Sequence, residues 1–188
     1  MKRDIIESEN VVSQVLDLMG GLESAREVID REISEERELW EQSTGAIGRI
    51  LRSHLYVEYR MTRYLQTYNP NLGDLDQARL TYSQKLSLLN KRDEKIGHLI
   101  PGVRQLNVIR NRIGHQINSS VEKSDCEVFL ANKMFSNLRI QLAKPEDPSD
   151  NPIAILETFA MFAGCWFRDS RLEEAFRAVS ARKGLRSD

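Results

Sequence analysis

The sequence predicts an all-α protein, a helical bundle preceded by a helical extension. Apolar residues recur at three- and four-residue spacing through nearly every segment, and no run alternates with period two for long enough to make a strand. Only 10 Gly and 5 Pro are spread over 188 residues, too few for the many tight turns of an all-β fold. With 40% hydrophobic and 29% charged residues, the chain has the composition of one that buries a core. Its length supports such a core without a disulfide or metal staple. Cys126 and Cys165 stand far apart with no C-x-x-C spacing, which points to a reducing compartment and away from a zinc site.

Taken in order, residues 4–19 form the first expected helix, with Ile5, Val12, Val15, Leu16 and Met19 on one side and Gly20-Gly21 stopping it. The second, over residues 22–40, mixes charge signs along Arg26, Asp30, Arg31, Glu35 and Arg37, as a solvated face or an interaction arm does. These two helices make an extension over residues 1–42, and residues 43–188 make the bundle. A long helix over residues 43–68 carries the stripe Ile47, Leu51, His54, Glu58, Met61 and Leu65 and ends at Asn69-Pro70-Asn71-Leu72-Gly73. Residues 75–90 form the next, with Ala78, Tyr82, Leu86 and Leu89 inward. A charged turn, residues 91–95, leads to Pro101, well suited to the first turn of a helix over residues 101–118.

Another helix, from residue 124 or 125 to 144, is expected to bury Val128, Ala131, Phe135, Leu138 and Leu142. After the loop 145–152, Asn151 caps a last helix running to about residue 182, with Pro152 at its first position. That helix begins with Phe159, Phe162, Trp166 and Phe167, which belong to the core or to a dimer interface rather than to a base-stacking platform. Its apolar stretch is about fifteen residues long and contains Glu157, too short to span a bilayer. With no apolar leader visible at the N-terminus, the chain is expected to be soluble and cytoplasmic.

The charges are distributed unevenly. Against 27 Lys+Arg stand 28 Asp+Glu, a net charge of -1 that excludes a wholesale DNA coater or a polybasic membrane binder. Yet no Asp or Glu lies between Lys95 and Val121, while Lys95, Arg104, Arg110, Arg112, His98 and His115 do. Leu106, Ile109, Ile113 and Ile117 give this helix an apolar stripe; Arg104, Asn107, Asn111, His115 and Asn118 give it a polar one. Gly114, costly inside a helix by about 1 kcal/mol, suggests close approach of a backbone or ligand. Such a concentration of arginine and neutral amides suits a phosphate-sized anion.

The run Arg110-Asn111-Arg112-Ile113-Gly114-His115 resembles the R-x4-6-H motif of the HEPN superfamily, in its R-N-x-x-x-H form. The segments LRSHLYVEYRMTRYL (residues 51–65) and LTYSQKLSLL (residues 80–89) resemble earlier core helices of bacterial HEPN-like families, including proteins similar to the mannitol-operon repressor. The likeness covers residues 43–143. It implies a bundle of four to five core helices that forms a homodimer, bringing two motifs into one cleft. It also implies a metal-independent, cofactor-free endoribonuclease, often a toxin or antiviral defence effector.

By position, Arg110 would hold the scissile phosphate, His115 would act as general base or general acid, and Asn111 would orient the phosphate or His115. Arg104, Asn107 and Arg112 would bind the RNA around them. Cleavage through the 2′-hydroxyl leaves a 2′,3′-cyclic phosphate and requires RNA. Family toxins controlled by nucleotidyltransferase antitoxins carry Tyr two residues after the His; Ile117 stands there, which weighs against that control, although an antitoxin or regulatory protein remains a candidate partner. Some relatives keep the fold without catalysis, so a non-catalytic regulator or a nucleotide-, RNA- or protein-binding module is the alternative.

His54 and Glu58 form an i,i+4 pair, read either as a satisfied buried pair or as positioning partners in which Glu58 orients Arg110. His98 is expected in an exposed loop, and Cys126 as a packing thiol. Three scattered His give no metal site. The acidic N-terminal helices either cover the basic cleft or mediate assembly.

Overall fold

A computed structural model of the chain describes residues 11–40, 44–117, 119–168, 174–175 and 178–179. Among them every regular element is helical and none is a strand, so the all-α expectation holds. Helix α1 covers 11–18, α2 Leu22–Trp40, α3 Thr44–Tyr68, α4 Tyr82–Leu88, α5 Ile100–His115, α6 Lys123–Leu130, α7 Lys133–Ala143 and α8 Pro152–Phe167; a single 3-10 turn, Gly97–Leu99, leads into α5. The earlier part of the first predicted helix and Asn118 lie outside the described residues.

The chain divides into two compact units, residues 1–42 and residues 43–188. In the first, Gly20 and Gly21 adopt φ of 84° and 97°, the left-handed region that suits glycine. Gly21 N donates to Leu16 O at 2.9 Å and Gly20 N to Asp17 O at 3.1 Å, which closes α1 with a Schellman turn. Helix α2 exposes Ile29 and Ile33 among its charges, as a solvated helix does.

In the second unit α3 and α8 run parallel and share the most extensive packing. Arg49 Nε donates to Glu157 Oε1 at 2.8 Å towards their N-terminal ends, and Tyr64 meets Phe167 edge-on towards their C-terminal ends. Between these pairs Gly164 lies so close to the Tyr56 ring that a Cβ there would overlap it. Helix α5 contacts α3, α4, α6 and α8, with Val103, Leu106 and Ile109 wholly buried. Phe129 stacks on Phe159 at 4.7 Å, and Phe135 meets Phe159 edge-on at 5.4 Å. Phe159, Phe162, Trp166 and Phe167 are therefore core.

Several expected boundaries are corrected. Residues 75–79 are turns, with Arg79 at φ 49°; α4 begins only at Tyr82, behind a capping box between Thr81 and Gln84. Leu75 is still buried, but Ala78 is exposed. The helix expected over residues 124–144 is two helices, because Asn132 turns the chain and caps α7, its Oδ1 accepting from Phe135 N at 3.1 Å. This break carries Phe129 and Phe135 into the core from different helices and leaves Ala131 and Leu142 exposed, Leu142 to 75%. Helix α5 ends at His115, where Gln116 turns extended, so Ile117 is exposed instead of continuing the apolar stripe. Likewise α8 ends at Phe167, where Arg168 is extended; residues 174–175 and 178–179 are again helical, and the rest of the run expected to about residue 182 lies outside the described residues. The expected cap holds: Asn151 Oδ1 accepts from Ile153 N and Ala154 N at 3.0 and 3.1 Å.

Candidate functional site

Helix α5 presents its polar residues on three sides, and each side has a different fate. Towards α3 and α4 stands Asn107. His54 Nε2 donates to Asn107 Oδ1 at 3.1 Å, and Asn107 Nδ2 donates to Ser83 Oγ at 3.2 Å. The His54 ring stacks on Tyr82 with centroids 4.1 Å apart and planes at 24°, and the Tyr82 hydroxyl donates to Val103 O at 3.0 Å. Burial pushes His54 below the usual histidine range; the Asn107 bond and Glu58 oppose that, and the nearby Arg110 charge adds to it. Burial, with the Glu58 charge second, pushes Tyr82 well up, so its hydroxyl stays protonated.

Glu58 is not bonded to Arg110 as expected. Its Oε1 accepts from Lys85 Nζ at 2.9 Å, and the two side chains are 23% and 11% exposed. His54 and Glu58 thus have separate partners rather than each other. Lys85 and Ser83 were missed in the sequence, and Tyr82 was read there only as an inward residue. The readable signal was Lys85 itself, three residues after Tyr82 and one before Leu86, a lysine on an apolar stripe.

Towards α6 stand Gln105 and Arg112. Arg112 Nη1 donates to Asp125 Oδ1 at 3.1 Å, Nη2 to Asp125 Oδ2 and also to Ser120 O at 2.9 Å. Gln105 Nε2 and Glu122 N donate to the same carboxylate, at 3.1 and 2.9 Å. Burial alone would raise Asp125, but the Arg112 bond and the Glu122 N–H hold it below the usual carboxylate range. Arg112, expected to bind substrate, is thereby committed to α6.

Towards solvent stand Arg104, Val108, Asn111 and His115. Arg104 and His115 make no side-chain hydrogen bond among the described residues. Arg110 is half-buried at the edge of this face, its Nη1 donating to Asn111 Oδ1 at 3.1 Å. Gly114 approaches no backbone: the nearest atom to a Cβ built there is Arg110 Nη1, at 3.9 Å. Arg110, Asn111 and His115 therefore share the last turns of one helix, with Arg104 about two turns before Asn111 on the same side.

The other basic residues of the acid-free segment lie elsewhere. Lys95 Nζ donates to the Tyr68 hydroxyl at 3.0 Å and sits over the Tyr64 and Tyr68 rings. His98 is not exposed as expected: it is half-buried in the 3-10 turn, edge-on to Trp166 at 4.8 Å, with Nε2 buried and unpaired. Burial pushes it below the usual range. Cys126 is buried and its thiol pushed up by burial, then by Asp125, so it packs rather than reacts.

Among the described residues no group of three His, Cys, Asp or Glu is placed to hold a metal ion, and no helix is long and apolar enough to cross a membrane. Comparison with models of known families, with curated proteins and with solved structures finds no match.

Proposed function

We propose that the protein is a HEPN-type, metal-independent endoribonuclease that cuts single-stranded RNA, working as a homodimer. The observation that carries this reading is the grouping of Arg110, Asn111 and His115 on the solvent side of the last turns of α5, next to no acidic side chain of their own helix. The Arg110–Asn111 bond restrains the guanidinium before substrate arrives, which lowers the ordering cost of gripping a phosphate. Arg110 then holds the scissile phosphodiester and offsets charge on its oxygens. His115 takes the proton from the 2′-hydroxyl as that oxygen attacks phosphorus, or returns a proton to the departing 5′-oxygen. The products carry a 2′,3′-cyclic phosphate and a 5′-hydroxyl. Because one protomer presents a single His115, the reading assigns the second proton transfer to the partner's copy of the motif across a shared cleft.

The test is cleavage of single-stranded RNA in EDTA. Arg110→Ala should lower the rate roughly 10²–10³-fold, and His115→Ala roughly 10²–10⁴-fold. If wild type and His115→Ala cut alike, or the folded wild type cuts no RNA, the enzyme reading fails. One observation favours a second reading, a non-catalytic HEPN-fold regulator or binding module: His115 has no hydrogen bond to orient it among the described residues. That module would bind oligonucleotides more weakly after Arg110→Ala and turn none over.

A further inference from the structure

We propose that the outward face of α3 is a second contact surface for single-stranded RNA, built of interleaved arginine and tyrosine and separate from the Arg110 face. Along α3 stand four arginines, of which Arg49 is paired with Glu157 of α8, and one acid, Glu58, which points the other way, to Lys85. On the far side of the helix from His54, Arg52, Tyr59 and Arg63 are exposed and Tyr56 and Arg60 half-buried. The Arg60 guanidinium lies 5.4 Å from the Tyr56 ring centroid and 5.5 Å from that of Tyr59; Arg63 lies 5.4 Å from Tyr59. The rings hold these guanidinium groups without using up their N–H donors. Arg60 Nε is buried and unpaired, so only the outer end of that guanidinium can meet a strand, and the contact of Arg63 with Asp76 is a loose, exposed one of 3.6 Å.

At the end of this face Arg60, Arg63 and Arg168 line a notch of about 180 Å³ beside the last turns of α3 and α8. Each helix end contributes about half a negative charge. Among the described residues those ends and Asp76 together do not cancel three guanidinium groups, so the notch carries a positive balance there and has room for a phosphate. Cationic side chains that track a backbone, with aromatic rings on which bases stack, are what a single strand requires. An acidic protein surface would need the charges but not the rings. The choice of RNA over DNA rests on the preceding reading of the Arg110 site; the surface chemistry does not.

The experiment uses the full chain in EDTA and a short labelled 2′-O-methyl oligouridine, which lacks the attacking hydroxyl and so reports binding alone. The double variant Arg60→Ala/Arg63→Ala should bind at least tenfold more weakly and lose about 1.4 from the log-log salt slope, about 0.7 for each phosphate contact removed. Tyr59→Ala should weaken binding roughly tenfold through lost stacking, while Tyr59→Phe binds as wild type. Cleavage of a dinucleotide substrate by the double variant should be unchanged. Should the double variant unfold, Arg63→Glu on the exposed side replaces it. Binding within twofold of wild type by the double variant, or by Arg63→Glu where that replaces it, overturns the proposal. So does a silent Tyr59→Ala with dextran sulfate competing as well as RNA, which marks a site for any polyanion or acidic protein. Failure of the Arg110 reading is a distinct result: intact oligonucleotide binding with no cleavage of ordinary RNA.

Discussion

His54 Nε2 donates a 3.1 Å hydrogen bond to Asn107 Oδ1, and through it the long helix α3 is tied to the helix that carries the Arg110–His115 motif. The bond fixes the proton on Nε2, because a carbonyl oxygen can only accept. It also commits Asn107 to the side of α5 that faces α3 and α4, since its amide nitrogen is taken by Ser83. Asn107 thus holds α5 in place rather than facing solvent with Asn111.

Asn107→Ala should therefore lower stability by about 2 kcal/mol, because it leaves a buried imidazole N–H without an acceptor. Urea unfolding followed by circular dichroism measures this. A variant of unchanged urea midpoint that nevertheless binds RNA more weakly would make Asn107 a substrate contact after all.

Two histidines contribute to the pH dependence of folding. Burial lowers both His54 and His98 in the folded chain, so between those depressed values and about 6.5 the unfolded chain holds more protons. Their contribution is complete above about pH 6.5 and is lost as pH falls below it. Unfolding midpoints should be level from pH 8 to 7 and decline towards pH 5, before most carboxylates titrate. His98→Leu, which fills the space beside Trp166 and Phe162 with an apolar group, should shallow that decline. A decline just as steep in His98→Leu would assign it to other groups.

The Arg112–Asp125 pair predicts an asymmetric mutational result. Asp125 is only 5% exposed, so Arg112→Ala leaves a buried carboxylate without its cation and should cost about 3 kcal/mol. Asp125→Ala, which removes the buried carboxylate and leaves the 28% exposed Arg112 side chain free to turn to water, should cost less. Because Asp125 is held below the usual range, the pair's contribution is present above about pH 4 and lost as pH falls through the folded value. Thermal melts of both variants at pH 7 and pH 3 check the order and its collapse in acid.

Gly102 faces the Phe159 ring so closely that a Cβ would overlap three of its carbons. Gly102→Ala gains about 1 kcal/mol of helix propensity. The overpacking of a buried ring outweighs this, for a net loss of about 2 kcal/mol. Double-variant analysis with Phe159→Leu should recover part of that loss; full additivity would show that the two residues do not meet.

Much of the fold was legible because its signals are local. The Gly20-Gly21 stop, the Asn151-Pro152 start and the apolar spacing of residues 44–68 each act within a few residues of where they are read. Missed features were those where two local signals compete. Residues 75–80 carry helical spacing, yet the Thr81–Gln84 capping box starts the helix later. Asn132 sits inside a periodic run, yet its side chain satisfies the amide of Phe135 and breaks the run.

The sequence by itself determined an all-α chain, the amphipathic helix bearing Arg110, Asn111 and His115, and the absence of acids from its neighbourhood along the chain. Only the tertiary structure decided which of those basic residues remain available. Arg112 is taken by Asp125, thirteen positions away, and Glu58 by Lys85, twenty-seven away, while Arg110 and His115 stay at the solvent side. The physical reason is that charges interact through distance in space, and folding brings acids from other helices to a segment that has none of its own.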